Sequence, residues 1–173
     1  MKPVLQTPRL ILKPTVAGDQ TRIACLLRLP EVRRYLCDDL VFLNERISDI
    51  LANSDAHEPR DLGLWAIEAM DGTFLGIVGI HDVSEVFANV EGMAGEVDVV
   101  VALDPAAFGR GYAVEALTAM INHAVALGRR HLVGAVDAPN VASHRMMERA
   151  GFVRFGECDG PCHRQVLYRW THG

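Results

Sequence analysis

Between Glu96 and Leu127 an apolar strand pattern breaks at a glycine turn and restarts as an amphipathic helix. This passage restricts the folds open to the chain more than any other. Glu96-Val-Asp-Val-Val-Val-Ala-Leu103 reads as a buried β-strand that stops at Asp104-Pro105. A helix is predicted from about Gly111 to Leu127, because Ala113, Leu117, Met120, Ala124 and Leu127 recur at helical spacing on one face. Gly128 supplies its stop. A strand feeding a helix through so short a turn calls for a layered α/β arrangement.

The flanking segments alternate in the same way. Arg9 to Pro14 is a short strand ended by proline. Val16 to Leu29 is helical, with Asp19 near its start and Pro30 after its end, and Glu31 to Leu36 continues as a second piece. Glu45 to Ala52 forms a short helix, and Ser54 to Leu62 reads as a loop. Leu64 to Met70 and Thr73 to His81 flank Asp71-Gly72, a pair that favours a type I′ hairpin turn. Val86 to Gly95 is loop-like. His131 to Val136 is a strand, and Pro139-Asn140 precedes a helix from Val141 to Ala150. Phe152 to Phe155 and Gln165 to Trp170 are the last two strands, turning near Gly160-Pro161. No repeat, linker or low-complexity tract interrupts residues 1–173, so one domain is expected.

The balance of 17 basic and 22 acidic residues gives a net charge of −5, and no basic stripe argues for nucleic acid. A mildly acidic surface weakly favours cationic partners. No run is long enough for a signal peptide or a membrane span, so a cytoplasmic location is expected and no membrane partner. Cys25, Cys37, Cys158 and Cys162 are scattered, and reduced thiols are expected. Cys158-Asp-Gly-Pro-Cys162-His163 lacks the second ligand pair that zinc wants, so no metal site is predicted.

The chemistry sits in the turn. Gly109 and Gly111 leave backbone N–H groups uncovered, and the helix start adds unpaired donors and partial positive charge. The result is a site for phosphate or pyrophosphate. Gly109-Arg-Gly-Tyr112 has neither the length nor the Lys-Ser/Thr of a P-loop. Position 114 is Val, which removes the third glycine of a dinucleotide fingerprint.

Phe108-Gly-Arg-Gly-Tyr-Ala-Val-Glu-Ala116 resembles the cosubstrate loop of the GNAT superfamily, in the branch of the RimJ and RimL ribosomal-protein N-terminal acetyltransferases. Phe108 departs from the superfamily's general Gln/Arg. The likeness extends to Thr7-Pro-Arg-Leu-Ile-Leu-Lys-Pro14, Leu29 to Leu36, Phe74 to Ile80, Asn140-Val-Ala-Ser143 and Glu148-Arg-Ala-Gly-Phe152. It covers essentially the whole chain in order.

The resemblance implies a mixed, mostly antiparallel sheet of about seven strands with helices on both faces. Its fourth and fifth strands would splay to admit acetyl-CoA. Val101, Ala102 and Leu103 would pair with pantetheine, backbone groups of Phe108, Gly109, Arg110, Gly111, Tyr112 and Ala113 would hold the pyrophosphate, and Asn140 would bind the pantetheine arm. A primary amine, peptide α-amine or small molecule, would attack the thioester directly. Because amines are protonated at neutral pH, with pKa about 8 to 10.4, a base is needed. The developing oxyanion wants a backbone donor near Val101.

Asp98 falls where the branch carries a Glu, and Glu96 is the second candidate; spaced by two, both carboxylates face one side of the strand. Both also fit the solvated start of a strand. The tyrosine that many relatives use as the acid is replaced by Met147. Ser143 matches the serine of the RimL type, and equally fits the capped first turn behind Asn140. Arg129-Arg130-His131 fits a helix C-terminus better than a phosphate site. Acceptor contacts are expected from Leu36 to Leu64 and Asp82 to Gly95. The family also suggests a homodimer. A non-catalytic acyl-CoA-binding domain of the same fold is the alternative that the missing tyrosine admits.

Overall fold

The structure is a computed structural model describing residues 1–173. One eight-stranded open sheet runs through it in the order β1-β2-β3-β4-β5-β6-β8-β7. The strands are β1 (Leu5–Gln6), β2 (Leu10–Pro14), β3 (Gly63–Ala69), β4 (Phe74–Asp82), β5 (Val97–Leu103), β6 (His131–Asp137), β7 (Val153–Asp159) and β8 (Arg164–Thr171). Every neighbouring pair is antiparallel except β5 and β6. The helices are α1 (Gln20–Arg28), α2 (Pro30–Leu36), α3 (Asn44–Ala56), α4 (Tyr112–Ala126) and α5 (Val141–Arg149). No helix is long and apolar enough to cross a membrane.

Both faces of the sheet are covered, which explains why β5 from Val99 to Leu103 reads as a continuous apolar run rather than an alternating one. Val97 and Leu103 join the larger core, with Leu117, Met120 and Ala124 of α4 and Met147 of α5. On the other face Ala102 and Ile77 meet Ile23 and Leu27 of α1, Val32 of α2 and Ile47 of α3. Alternation along β5 therefore puts Asp98, Val100 and Ala102 on the α1–α3 side. Trp65 is fully buried, edge-on to His123, and its indole N–H donates to the Pro3 carbonyl at 2.8 Å.

Several boundaries differ from the sequence expectation. The sheet has eight strands, because Leu5–Gln6 pairs with Leu12 and Ile11 as a short edge. The splayed strands are consequently β5 and β6. The segment expected as a loop after residue 54 instead completes α3 to Ala56 and then makes a 3-10 turn at Glu58–Arg60. The β3–β4 turn is not type I′. Gly72 is left-handed at φ +87°, but Asp71 is not. The Asp71 carboxylate instead accepts the Thr73 N–H at 2.9 Å, giving a three-residue loop that ends on the glycine. The last two strands are also longer than predicted, because each finishes pairing with the other.

Candidate active site

β5 and β6 are in register at a single position, Asp98 with Val133. β4 accompanies β5 from Asp82 to Gly76, and β8 accompanies β6 from Thr171 to Gln165. Each lip of the gap is therefore held from behind by a full antiparallel partner while the two lips diverge. The edge of β5 beyond Asp98 is left without a strand neighbour, as an incoming extended ligand requires.

A cavity of about 550 Å³ passes through this wedge. Val99 to Leu103 form one lip and Gly134 to Asp137 the other. Gly134 keeps the wedge open. A Cβ there would stand 2.5 Å from the Met147 methyl and 3.3 Å from Val99.

The turn before α4 closes one end of the cavity. Gly109 and Gly111 lie at φ +74° and +79°, the left-handed conformation that glycine adopts without strain. None of the six N–H groups from Gly109 to Val114 donates to a protein acceptor. Six unpaired donors in sequence, at the positive end of a 15-residue helix, suit a diphosphate. The residues present thus fit CoA: an anion cradle at the helix, an unpaired strand edge, and a through-sheet gap of matching size.

The cradle is anchored from the N-terminus of the chain. Glu115 accepts hydrogen bonds from Thr7 Oγ1 at 2.6 Å, Arg9 N at 3.0 Å and Arg9 Nε at 2.7 Å. Arg9 Nη1 also donates to the Arg110 carbonyl at 2.9 Å, and the guanidinium lies 4.7 Å from the centre of the Tyr112 ring. Burial raises the Glu115 pKa, but the hydrogen bonds from Thr7 and Arg9 outweigh it and hold the carboxyl below its ordinary range.

The structure brings most of the sequence candidates together. Val101, Ala102, Leu103, Phe108, Gly109, Gly111, Tyr112, Ala113, Asn140 and Ser143 all line the cavity. The Arg110 side chain does not, and its carbonyl is occupied by Arg9. Asn140 caps α5 by accepting the Ser143 N–H at 3.2 Å, which leaves its amide NH₂ free. Ser143 is in the first turn, as expected for a cap, and its side chain faces the same cavity.

The two acidic candidates are placed differently. Neither lines the cavity. Glu96 lies just before β5 and stands 3.8 Å from Arg169. Asp98 sits where the wedge closes, directly across from His81 on β4. The residue keeps some exposed surface, but Asp98 Oδ1 is buried and has no hydrogen-bond partner. Burial pushes its carboxyl up to about 6, against the pull of His81 and the Val99 N–H.

Local spacing did not signal several lining residues. Arg145 and Arg149 project from α5, one turn apart. Glu31, Val32 and Tyr35 of α2 and Asp137 and Gln165 of the sheet complete the far wall. Of the segments expected to touch the acceptor, only Leu36 lines the cavity. Arg129 and Arg130 lie just past the opposite end of α4, about 22 Å or more from the cradle at 1.5 Å per residue. No group of three or more His, Cys, Asp or Glu side chains is arranged to hold a metal ion.

Comparison with known proteins agrees with this geometry. YoaA of Bacillus subtilis (strain 168), described as an uncharacterized N-acetyltransferase, is 25% identical over 172 residues, spanning 98% of this chain and 90% of that protein. The crystal structure of an acetyltransferase from Agrobacterium tumefaciens str. C58 superimposes with a TM-score of 0.84 at 22% identity, covering 99% of this chain and 96% of that one. RimL, a ribosomal L7/L12 α-N-protein acetyltransferase solved with coenzyme A, superimposes with a TM-score of 0.79 at 16% identity over 97% of both chains. The model of the acetyltransferase (GNAT) domain matches residues 9–153, from the arginine that braces the cradle to the start of β7, and the chain belongs to that family of acetyltransferases.

Proposed function

We propose that this acetyltransferase moves the acetyl group of acetyl-CoA to a primary amine by direct attack of the amine on the thioester. The observation that carries the reading is the row of six unpaired N–H groups at one end of a cavity between two splayed strands. A diphosphate satisfies those donors, and a pantetheine arm satisfies the edge of β5.

The roles follow from position. Backbone groups of Val101 to Leu103 bind pantetheine, and those of Phe108 to Ala113 bind the pyrophosphate. Arg145 and Arg149 add positive charge on the cosubstrate side. Asn140 donates its amide to the pantetheine arm. Ser143 protonates the departing thiolate, in place of the tyrosine that Met147 displaces. Asp98 takes the amine proton through intervening water, because it stands outside the cavity lining. A base with a pKa near 6 is ionised at neutral pH yet still basic enough to accept a proton. Glu96, held near Arg169, receives no role.

Within the family we favour the RimJ/RimL type. Support comes from Thr7-Pro-Arg-Leu at the start, Phe108 to Ala116 at the cradle and Asn140 to Ser143 at α5. A peptide α-amine is then the first acceptor to test, and small-molecule amines are the second class.

The test is thiol release from acetyl-CoA over a panel of N-terminal peptides, alkylamines, amino acids and aminoglycosides. Release that depends on one amine class supports the reading and names the acceptor. Saturable CoA binding without amine-dependent release from any class contradicts it.

A further inference from the structure

The cavity has a second mouth on the α1–α3 side of the sheet, away from the cradle. Glu31, Tyr35 and Leu36 of α2 form one wall, and Asp137 and Gln165 form the other. Asp137 ends β6. Its strand-mates Leu132 and Val136 belong to the α4–α5 core, while Val133 packs with Met93 and Leu167 on the opposite face. Alternation puts Asp137 on that opposite face, away from α4 and α5.

Asp137 is a carboxylate only 4% exposed in a cavity wall. Burying such a charge is costly unless it is paired. No lysine or arginine pairs with it. Oδ1 accepts from the Gln165 amide, and Oδ2 stands 3.2 Å from His163 Nδ1. His163 is part-exposed and stacks at a tilt on Tyr35, with ring centres 5.9 Å apart. One amide and one imidazole orient the carboxylate without using all of its acceptor capacity. The other carboxylate of this mouth is Glu31; the two cations of the cavity, Arg145 and Arg149, project from α5.

We propose that Asp137, oriented by His163 and Gln165, docks the acceptor's ammonium group and thereby selects the acceptor class. This inference rests on the acetyl-transfer reading. Asp137 touches the substrate; His163 and Gln165 are positioning residues. The selected class is a primary amine whose neighbouring substituent is neutral or apolar, as in a peptide or an amino-acid amide. A free amino acid would bring its carboxylate between Glu31 and Asp137, where no cation meets it. The Tyr35 and Leu36 side chains give the acceptor an apolar wall.

The experiment compares phenylalanine amide with phenylalanine, by thiol release and by calorimetric titration into the CoA-loaded protein. Wild type should favour the amide by about tenfold or more. Asp137→Asn should raise KM for the amide about tenfold and narrow the preference, with KM for acetyl-CoA unchanged. Glu31→Gln, on an exposed helix start that does not threaten folding, should narrow the preference by a smaller factor. His163→Gln should raise the amine KM more than it lowers kcat. Equal use of the two amines by wild type, or unaltered preference in both Asp137→Asn and Glu31→Gln, would overturn the inference. Acetyl-CoA binding without binding of either amine would overturn it too and leave the cosubstrate site standing. A wild type indifferent to acetyl-CoA would remove the reading beneath it.

Discussion

Glu115 ties the first strand to the cosubstrate loop through three hydrogen bonds from Thr7 and Arg9. Replacing it with Gln removes the charge but keeps the shape. Glu115→Gln should cost about 1–2 kcal/mol of stability at neutral pH and weaken CoA binding, because Arg9 loses its anchor beneath the Arg110 carbonyl. The folded carboxyl titrates below its ordinary 4.5, so its contribution is present above that pH and fades as the pH falls further. Urea titrations of wild type and variant should therefore converge in acid. Divergence in acid would contradict the account.

Asp98 runs the other way. Its carboxyl is raised from 3.8 to about 6, so its contribution to stability is present below 3.8 and is lost as the pH rises through about 6. At neutral pH the charged form is a burden, which the proposed base role would explain. Asp98→Asn should stabilise the fold at neutral pH by as much as about 3 kcal/mol while lowering kcat about a hundredfold. It should also remove a limb near pH 6 from the kcat/KM profile. A variant both less stable and fully active would argue that Asp98 is a structural residue.

At the scale of elements, the wedge depends on how little side chain lies between β6 and α5. Gly134→Ala would put a Cβ 2.5 Å from the Met147 methyl. That methyl ends a flexible side chain, so the fold should survive with a loss of about 1–2 kcal/mol. The repacked side chain would intrude on the gap, and acetyl-CoA affinity should fall further than stability. At the other end of the wedge, Gly111→Ala would force alanine into φ +79°, with its Cβ in ordinary contact with the Arg9 guanidinium at 3.4 Å. A strain of about 1–2 kcal/mol and a weaker CoA complex are expected, read by thermal melting with and without CoA.

Elements that announce themselves by local pattern were legible in the sequence. The strand–turn–helix from Val97 to Ala126 needs only apolar periodicity and two glycines, and the cosubstrate end of the cavity lies almost entirely within it. The β3–β4 turn was read a residue too tight, because the bond from the Thr73 N–H to the Asp71 carboxylate competes with the turn that Asp-Gly favours. The far end of the cavity was not legible. Asp137 and Gln165 meet because β6 and β8 pair, and Glu31 and Tyr35 join them because α2 packs over β5. Arg9 and Glu115 are 106 residues apart. Nothing in the spacing along the chain records such meetings.

The whole molecule is built around one arrangement. A continuous sheet is interrupted at one parallel pair, and a helix N-terminus is placed against the interruption. Helices α1–α3 on one face and α4–α5 on the other give the gap two chemically different mouths, one rich in N–H donors and one bearing carboxylates. The cradle is the most specific feature of the molecule, and calorimetric titration with CoA beside pantetheine, which lacks the diphosphate together with the 3′-phosphoadenosine, tests it directly. CoA should bind with a Kd of about 1–100 μM, and pantetheine at least about 100-fold more weakly. Equal affinity for the two would mean that the N–H groups of Gly109 to Val114 hold no diphosphate, and no CoA binding at about 1 mM would remove the cosubstrate from the cavity altogether.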